Sequence, residues 1–213
     1  MKIAVCITSR GLIFSKTIES ILSNLKDYNY KFFISNDKSI PDAPNYVVSE
    51  ALKDKDITHI FMVEEDVVVP ENALENMIIE DKPIVFIDYP VGEGWSTVCK
   101  KANKILWSGL GCILIKREVF EKIEYPWFET DKSLKIKNID TMDYVIENVT
   151  NKYGGHDIIF GIKANENGFN IYCMPNIECD HLRLQELGRP QVNNGCHIIT
   201  IKDKIKNYQD YNE

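Results

Sequence analysis

No apolar run in this chain of 213 residues reaches the length of a membrane span. The stretch Met1 to Thr8 is too short and too β-branched to read as a signal peptide. No CxxC pair occurs. The six cysteines (Cys6, Cys99, Cys112, Cys173, Cys179 and Cys196) are scattered, which disfavours a zinc knuckle and fits a reduced, cytoplasmic setting. The loop after the first predicted strand, Thr8-Ser9-Arg10-Gly11, holds a single glycine. It therefore lacks the GxGxxG of a dinucleotide fold and the GxxxxGK[ST] of a P-loop. Basic residues are also too few for a broad grip on nucleic acid: 25 Lys and Arg against 32 Asp and Glu give a net charge of -7. Internal repeats, low-complexity tracts and linkers are missing. What remains is a globular composition, 44% hydrophobic and 27% charged, of a length that suits one domain with a real core.

The patterning predicts alternating strands and helices. Residues 2–8 read as a strand. Ser15–Lys26 reads as a helix with Ile18, Ile21, Leu22 and Leu25 at helical spacing and Ser15 as its N-cap. Further strands are expected at Lys31–Ser35, His59–Val69, Pro83–Asp88, Leu110–Lys116, Asn170–Met174 and Ile198–Ile201. Helices are expected at Asn45–Lys53, 71–79, Arg117–Ile123 and Asp157–Asn167, the last closed by Gly168. Residues 129–153 are polar and weakly periodic, either a mobile loop or two short elements. This order implies an α/β domain with a mixed, mostly parallel central sheet flanked by helices.

The chemistry concentrates in Phe61-Met62-Val63-Glu64-Glu65-Asp66-Val67-Val68-Val69, an apolar strand interrupted by three carboxylates. Burying unpaired carboxylates costs several kcal/mol, so three at a strand end suggest a bound cation or a ligand carrying one. On a strand Glu64 and Asp66 share one side and Glu65 takes the other. Two carboxylates on one side suit a hard divalent ion that also binds phosphate oxygens.

Other candidates are weaker one by one. Thr8 and Arg10 offer a hydroxyl and a guanidinium at the strand edge where open α/β sheets bind ligands, and an ordinary turn would look the same. Asp37 can accept hydrogen bonds from a base or ribose, or serve a turn. His181 can complete a site begun by carboxylates, and Arg183 beside it can bind phosphate. Asp157 can be a helix N-cap or a functional acid. His156, Trp107, Gly109 and Trp127 are candidates to face an acceptor, since aromatic faces suit sugar rings as readily as they suit a core.

Three blocks occur in an order that resembles the small nucleotide-sugar glycosyltransferases of the GT-A fold, family-2-like. The first is the DxD-type Glu64-Glu65-Asp66. The second is Gly109-Leu110-Gly111, the strand and helix start through Ile123, and Pro126-Trp127-Phe128. The third is Gly155-His156-Asp157, Gly168 with its following strand, and Cys179-Asp180-His181-Leu182. The resemblance spans roughly residues 1–183. Two positions differ from the family pattern: Glu64 stands at the first acid of the DxD, and His156 stands where a Glu precedes the Asp.

The resemblance implies a single domain over 1–213, with a nucleotide-binding half (1–100), an acceptor and catalytic half (101–201) and a charged tail (202–213). It implies that Thr8, Arg10, Asp37, Glu64, Glu65 and Arg183 bind a UDP- or GDP-sugar. Asp66 and His181, helped by Glu64, would hold Mn²⁺ or Mg²⁺. Asp157 would be the general base of an inverting transfer to an acceptor hydroxyl, while a retaining route stays open. The acceptor could be a glycan, a lipid-linked sugar, a protein or a modified nucleobase, and residues 129–153 would shape its site or close over it. Two alternatives stand beside this. One is a sugar nucleotidyltransferase, which the glycine-poor Thr8–Gly11 loop disfavours. The other is a nucleotide-sugar or glycan-binding module without turnover, which Glu64 and His156 favour.

Overall fold

In a computed structural model, every residue is described except 37, 92–94, 102–103, 139–140, 142, 151–154, 188–197 and 203–213. The first half runs β1 (Lys2–Thr8), α1 (Ser15–Asn24), β2 (Asn29–Ser35), α2 (Asp42–Leu52), β3 (His59–Glu64), β4 (Val67–Val68), α3 (Ala73–Ile79) and β5 (Ile84–Asp88). Four short strands follow: β6 (Pro90–Val91), β7 (Trp95–Ser96), β8 (Cys99–Lys101) and β9 (Lys104–Trp107). The second half holds β10 (Cys112–Lys116), α4 (Arg117–Lys122), β11 (Lys132–Asn138), β12 (Asp143–Asn148), α5 (His156–Glu166) and β13 (Ile171–Glu178). It ends with β14 (Asp180–His181), β15 (Arg183–Leu187) and β16 (Ile198–Lys202).

Eight strands form one sheet in the order β2-β1-β3-β10-β5-β13-β9-β8. β2, β1 and β3 are parallel, as are β5 and β13, and only β10 and β9 run against the rest. The fold is thus the expected mixed, mostly parallel α/β arrangement. Its central strands β1, β3, β5 and β10 are largely apolar because both faces are covered there, while β2 towards one edge is mostly exposed. In β1, Ala4 and Cys6 join one core cluster with Val47 and Val48 of α2 and Phe160 of α5. Ile3, Val5 and Ile7 join the other, with Ile21 of α1 and Leu74 of α3. Among the described residues no helix is long and apolar enough to cross a membrane.

The structure departs from the sequence expectations at element ends. Phe14 is the N-cap of α1, and Ser15 lies one position inside the helix. Gly155, at φ 76°, caps α5 and leaves Asp157 in its first turn. The described residues of 129–153 include a hairpin, β11 paired antiparallel with β12. The strand expected over His59–Val69 with a break at the acidic cluster is broken there, Glu65 and Asp66 separating β3 from β4.

Candidate functional site

The chain leaves β1 for β2 on one side and β3 on the other, the topological switch where open α/β sheets bind ligands. At the carboxyl ends Thr8 lies in register with both Ser35 and Glu64. A cleft of about 380 Å³ opens there, lined by Thr8, Ser9 and Arg10, by Lys38, Ser39 and Ile40, and by Glu64, Glu65 and Asp66. That volume suits a small-molecule ligand.

Glu65 is 7% exposed. Its carboxylate accepts the backbone N–H of Arg10 at 2.6 Å and pairs with the Arg10 guanidinium, while its carbonyl accepts the N–H of Phe14 at 3.1 Å. It therefore clamps the loop after β1 as well as lining the cleft. The Arg10 side chain is 77% exposed and also reaches Asp66 at 3.7 Å. Sequence reasoning treated Glu65 as a direct ligand contact; its two oxygens are already committed.

Glu64 and Asp66 also line the cleft and meet β14 where it pairs with β4. Val67 pairs with His181 and Val68 with Asp180, and the N–H of Leu182 donates to the carbonyl of Asp66 at 2.8 Å. This ladder brings ligand atoms of Glu64, Asp66 and His181 within 4.8 Å of one another. His181 Nδ1 lies 2.7 Å from the carbonyl of Pro90. A carbonyl only accepts, so Nδ1 carries the proton and Nε2, 3.5 Å from Asp66, faces the acids.

Burial, then the charge of Asp66, pushes the Glu64 carboxyl up to about 7, with a further rise from Asp157 and opposition from His181 and the Tyr89 hydroxyl. Burial alone would lower His181, but its bonds to Asp66 and the Pro90 carbonyl outweigh that and raise it. Both shifts say that the cluster favours added positive charge. Two carboxylates and an imidazole whose Nε2, when deprotonated, turns its lone pair to them fit a hard divalent cation.

Asp157 belongs to the same region, because its charge reaches Glu64 and Tyr89. Its neighbour His156 packs its ring edge-on against Phe128 at 6.4 Å. Burial depresses the His156 imidazole against the pull of Asp157, and its Nδ1 is buried without a hydrogen-bond partner among the described residues.

The aromatic and glycine candidates divide differently. Trp127 is a core residue: it is buried and donates its indole N–H to the carbonyls of Phe120 and Ile123 at 3.0 and 3.1 Å. Its ring is therefore closed to a sugar. Gly109 is buried against Tyr89, and a Cβ there would lie 2.4 Å from the Tyr89 hydroxyl. Its role is packing, not acceptor contact. Trp107 is half-buried, its Cα and Cβ under Gly161 of α5. Asp37 and the side chain of Arg183 lie outside the described residues. Sequence reasoning missed Tyr89 and Pro90, which touch the cluster. Their one local signal is position: they follow an apolar strand at the sheet edge that carries Thr8 and Glu64.

No protein-family model matches the chain, and no curated protein does. Among solved structures, A197 from STIV superposes with a TM-score of 0.57 at 20% identity, over 85% of this chain and 85% of that one. The two share a fold. A glycosyltransferase involved in the glycosylation of the major capsid of PBCV-1 gives a TM-score of 0.37 at 16% identity, over 60% of this chain and 70% of that one. A Bacillus anthracis protein assigned as a glucose-1-phosphate thymidylyltransferase, in complex with a sucrose, gives 0.43 at 8% identity, over 82% and 87%. At such low scores neither bears on what this chain does.

Proposed function

We propose that this chain is a metal-dependent glycosyltransferase of the GT-A type, moving a sugar from a UDP- or GDP-sugar to an acceptor hydroxyl. One observation carries the reading. Two acids from the end of β3 and an imidazole from β14 converge beside the cleft at the switch of the sheet, with a further carboxylate close enough to be felt. The sheet draws β1–β3 from the nucleotide-binding half and β10 and β13 from the acceptor half, which supports treating 1–201 as one working unit with 202–213 as a tail.

Thr8 is assigned to the nucleoside side, as by its sequence position is Asp37, which lies outside the described residues, and Arg10, held by Glu65, presents its guanidinium to the diphosphate. Arg183 is proposed from its sequence position alone as a second positive group for the same leaving group. Asp66 and His181, with Glu64, would hold Mn²⁺ or Mg²⁺. When bound, such an ion supplies neutralising charge to the departing diphosphate. Asp157 sits in the first turn of α5, at the positive end of that helix, and takes the proton of the attacking hydroxyl. General base catalysis of this kind contributes about 10²–10⁴-fold. With a base rather than a nucleophile opposite the leaving group, the transfer inverts the anomeric centre. His156 and Trp107 remain the groups proposed to border the acceptor.

The test is release of nucleoside diphosphate from a donor panel with Mn²⁺. Asp66→Asn should abolish it, and Asp157→Asn should abolish transfer while sparing donor binding. Full activity of both variants in EDTA would overturn the metal and base roles. Calorimetric binding of UDP and Mn²⁺ without turnover on any acceptor would point instead to a binding module.

A further inference from the structure

Tyr89 follows β5 and is 3% exposed. Its hydroxyl accepts the N–H of Gly111 at 3.0 Å. An amide nitrogen cannot accept in return, so the Tyr89 proton is left for Glu64 Oε2, 3.4 Å away. Its ring meets that of His181 edge-on at 5.3 Å, and the next residue, Pro90, takes the His181 Nδ1 proton. The backbone around it is shaped for this hydroxyl. A Cβ on Gly111 would lie 2.5 Å from Tyr89 Cζ and 2.7 Å from its oxygen, as one on Gly109 would lie 2.4 Å from that oxygen. The Gly109-Leu110-Gly111 block is therefore a cradle for one phenol.

We propose that Tyr89 is a positioning residue for the acidic cluster, its hydroxyl orienting Glu64 while its ring and the Pro90 carbonyl orient His181. This rests on the metal reading given above. By holding Oε2 of Glu64, Tyr89 leaves Oε1 as the oxygen offered to a cation. By fixing the tautomer and the plane of His181, the Tyr89-Pro90 pair keeps the Nε2 lone pair on the acids. Supporting partners of this kind are typically worth about 10–100-fold in metal affinity.

The experiment is a Mn²⁺ titration of the full chain, followed by the free-ion paramagnetic resonance signal without any nucleotide sugar. Tyr89→Phe removes one oxygen atom and keeps the ring, so the variant stays folded, and a thermal melt checks this. Its Mn²⁺ dissociation constant should rise about 10–100-fold. In a Glu64→Ala background the same substitution should shift the constant far less, because much of its effect runs through Glu64. A lowered melting temperature with an unchanged Mn²⁺ constant would make Tyr89 merely structural and overturn the proposal. If the unaltered chain takes up no Mn²⁺, the metal reading itself fails and this proposal with it, an outcome distinct from the previous one.

Discussion

In the middle of α5, Gly161 faces the backbone of β9, and Gly161→Ala sets helix propensity against that contact. Alanine is favoured over glycine in a helix interior by about 1 kcal/mol. Here its Cβ would lie 2.6 Å from Trp107 Cβ, 2.7 Å from Trp107 Cα and 2.8 Å from the Leu106 carbonyl oxygen. Two of those three atoms are backbone and cannot rotate away. Carbon atoms rest at about 3.5–4.0 Å, so helix and strand must separate by roughly 1 Å. Overpacking of this sort costs about 1–3 kcal/mol. The same movement stretches the bonds from Asn165 Nδ2 to the carbonyls of Ile105 and Leu106, now 3.1 and 2.9 Å, each contributing about 1 kcal/mol. The opposing effects sum to a net loss of about 1–4 kcal/mol. Urea denaturation reads it as a lowered midpoint at unchanged slope. If Asp157 at the head of α5 is the base, turnover should fall as well, since a 1 Å misplacement can cost about 10²-fold. A variant as stable as the parent, or stabler by the full propensity gain, would refute the close approach of α5 to β9.

Two further outcomes are expected. Arg117 donates to the carbonyls of Leu52, Asp54 and Ile57 at 2.8, 2.8 and 3.2 Å and so ties the end of α2 to α4. Arg117→Ala should cost about 2–4 kcal/mol by chemical denaturation, less than the sum of the bonds because freed carbonyls regain water. Arg117→Lys should recover less than half, as an ammonium cannot fork, and full recovery would count against this role. His59 is held below its ordinary value of 6.5 by burial and then by Lys116, against Asp81. The unfolded chain then binds the proton more readily. Stability from neutral His59 is therefore present above pH 6.5 and is lost as pH falls through the depressed folded value. His59→Gln should flatten the fall of the melting temperature below that pH, and an unchanged slope would contradict the sign.

The central strands were legible because β1, β3, β5 and β10 are covered on both faces and read as apolar runs whatever their neighbours. The short strands β6 to β9 were not. Their sequences are mixed: β9 exists through long-range pairing with β13, while β6 and β7 are only two residues each, too short to show a period. Glu64 and Asp66 could be proposed from their place at a strand end, whereas His181 joined them only through the order of the three blocks, since a lone histidine has many other uses. Trp127 and Glu65 could not be placed, because an indole serves core and sugar alike and Glu65 depends on Arg10, distant in the chain. Tyr89 carried no mark beyond its position after β5, since its meaning lies in an acid on β3 and two glycines of the loop before β10.

The ladder that delivers His181 to the acids is only two residues long on each side. The large sheet does not need it: β3 and β13 are held by other partners. Fraying at β4 and β14 can therefore draw His181 away from the two acids while the core stays shut, at a free energy below that of global unfolding. Amide exchange at Leu182, whose N–H spans the gap to Asp66, would report that opening. A ligand that bridges the two sides would slow this exchange more than exchange in the core, making the site a local lock on the second half of the chain.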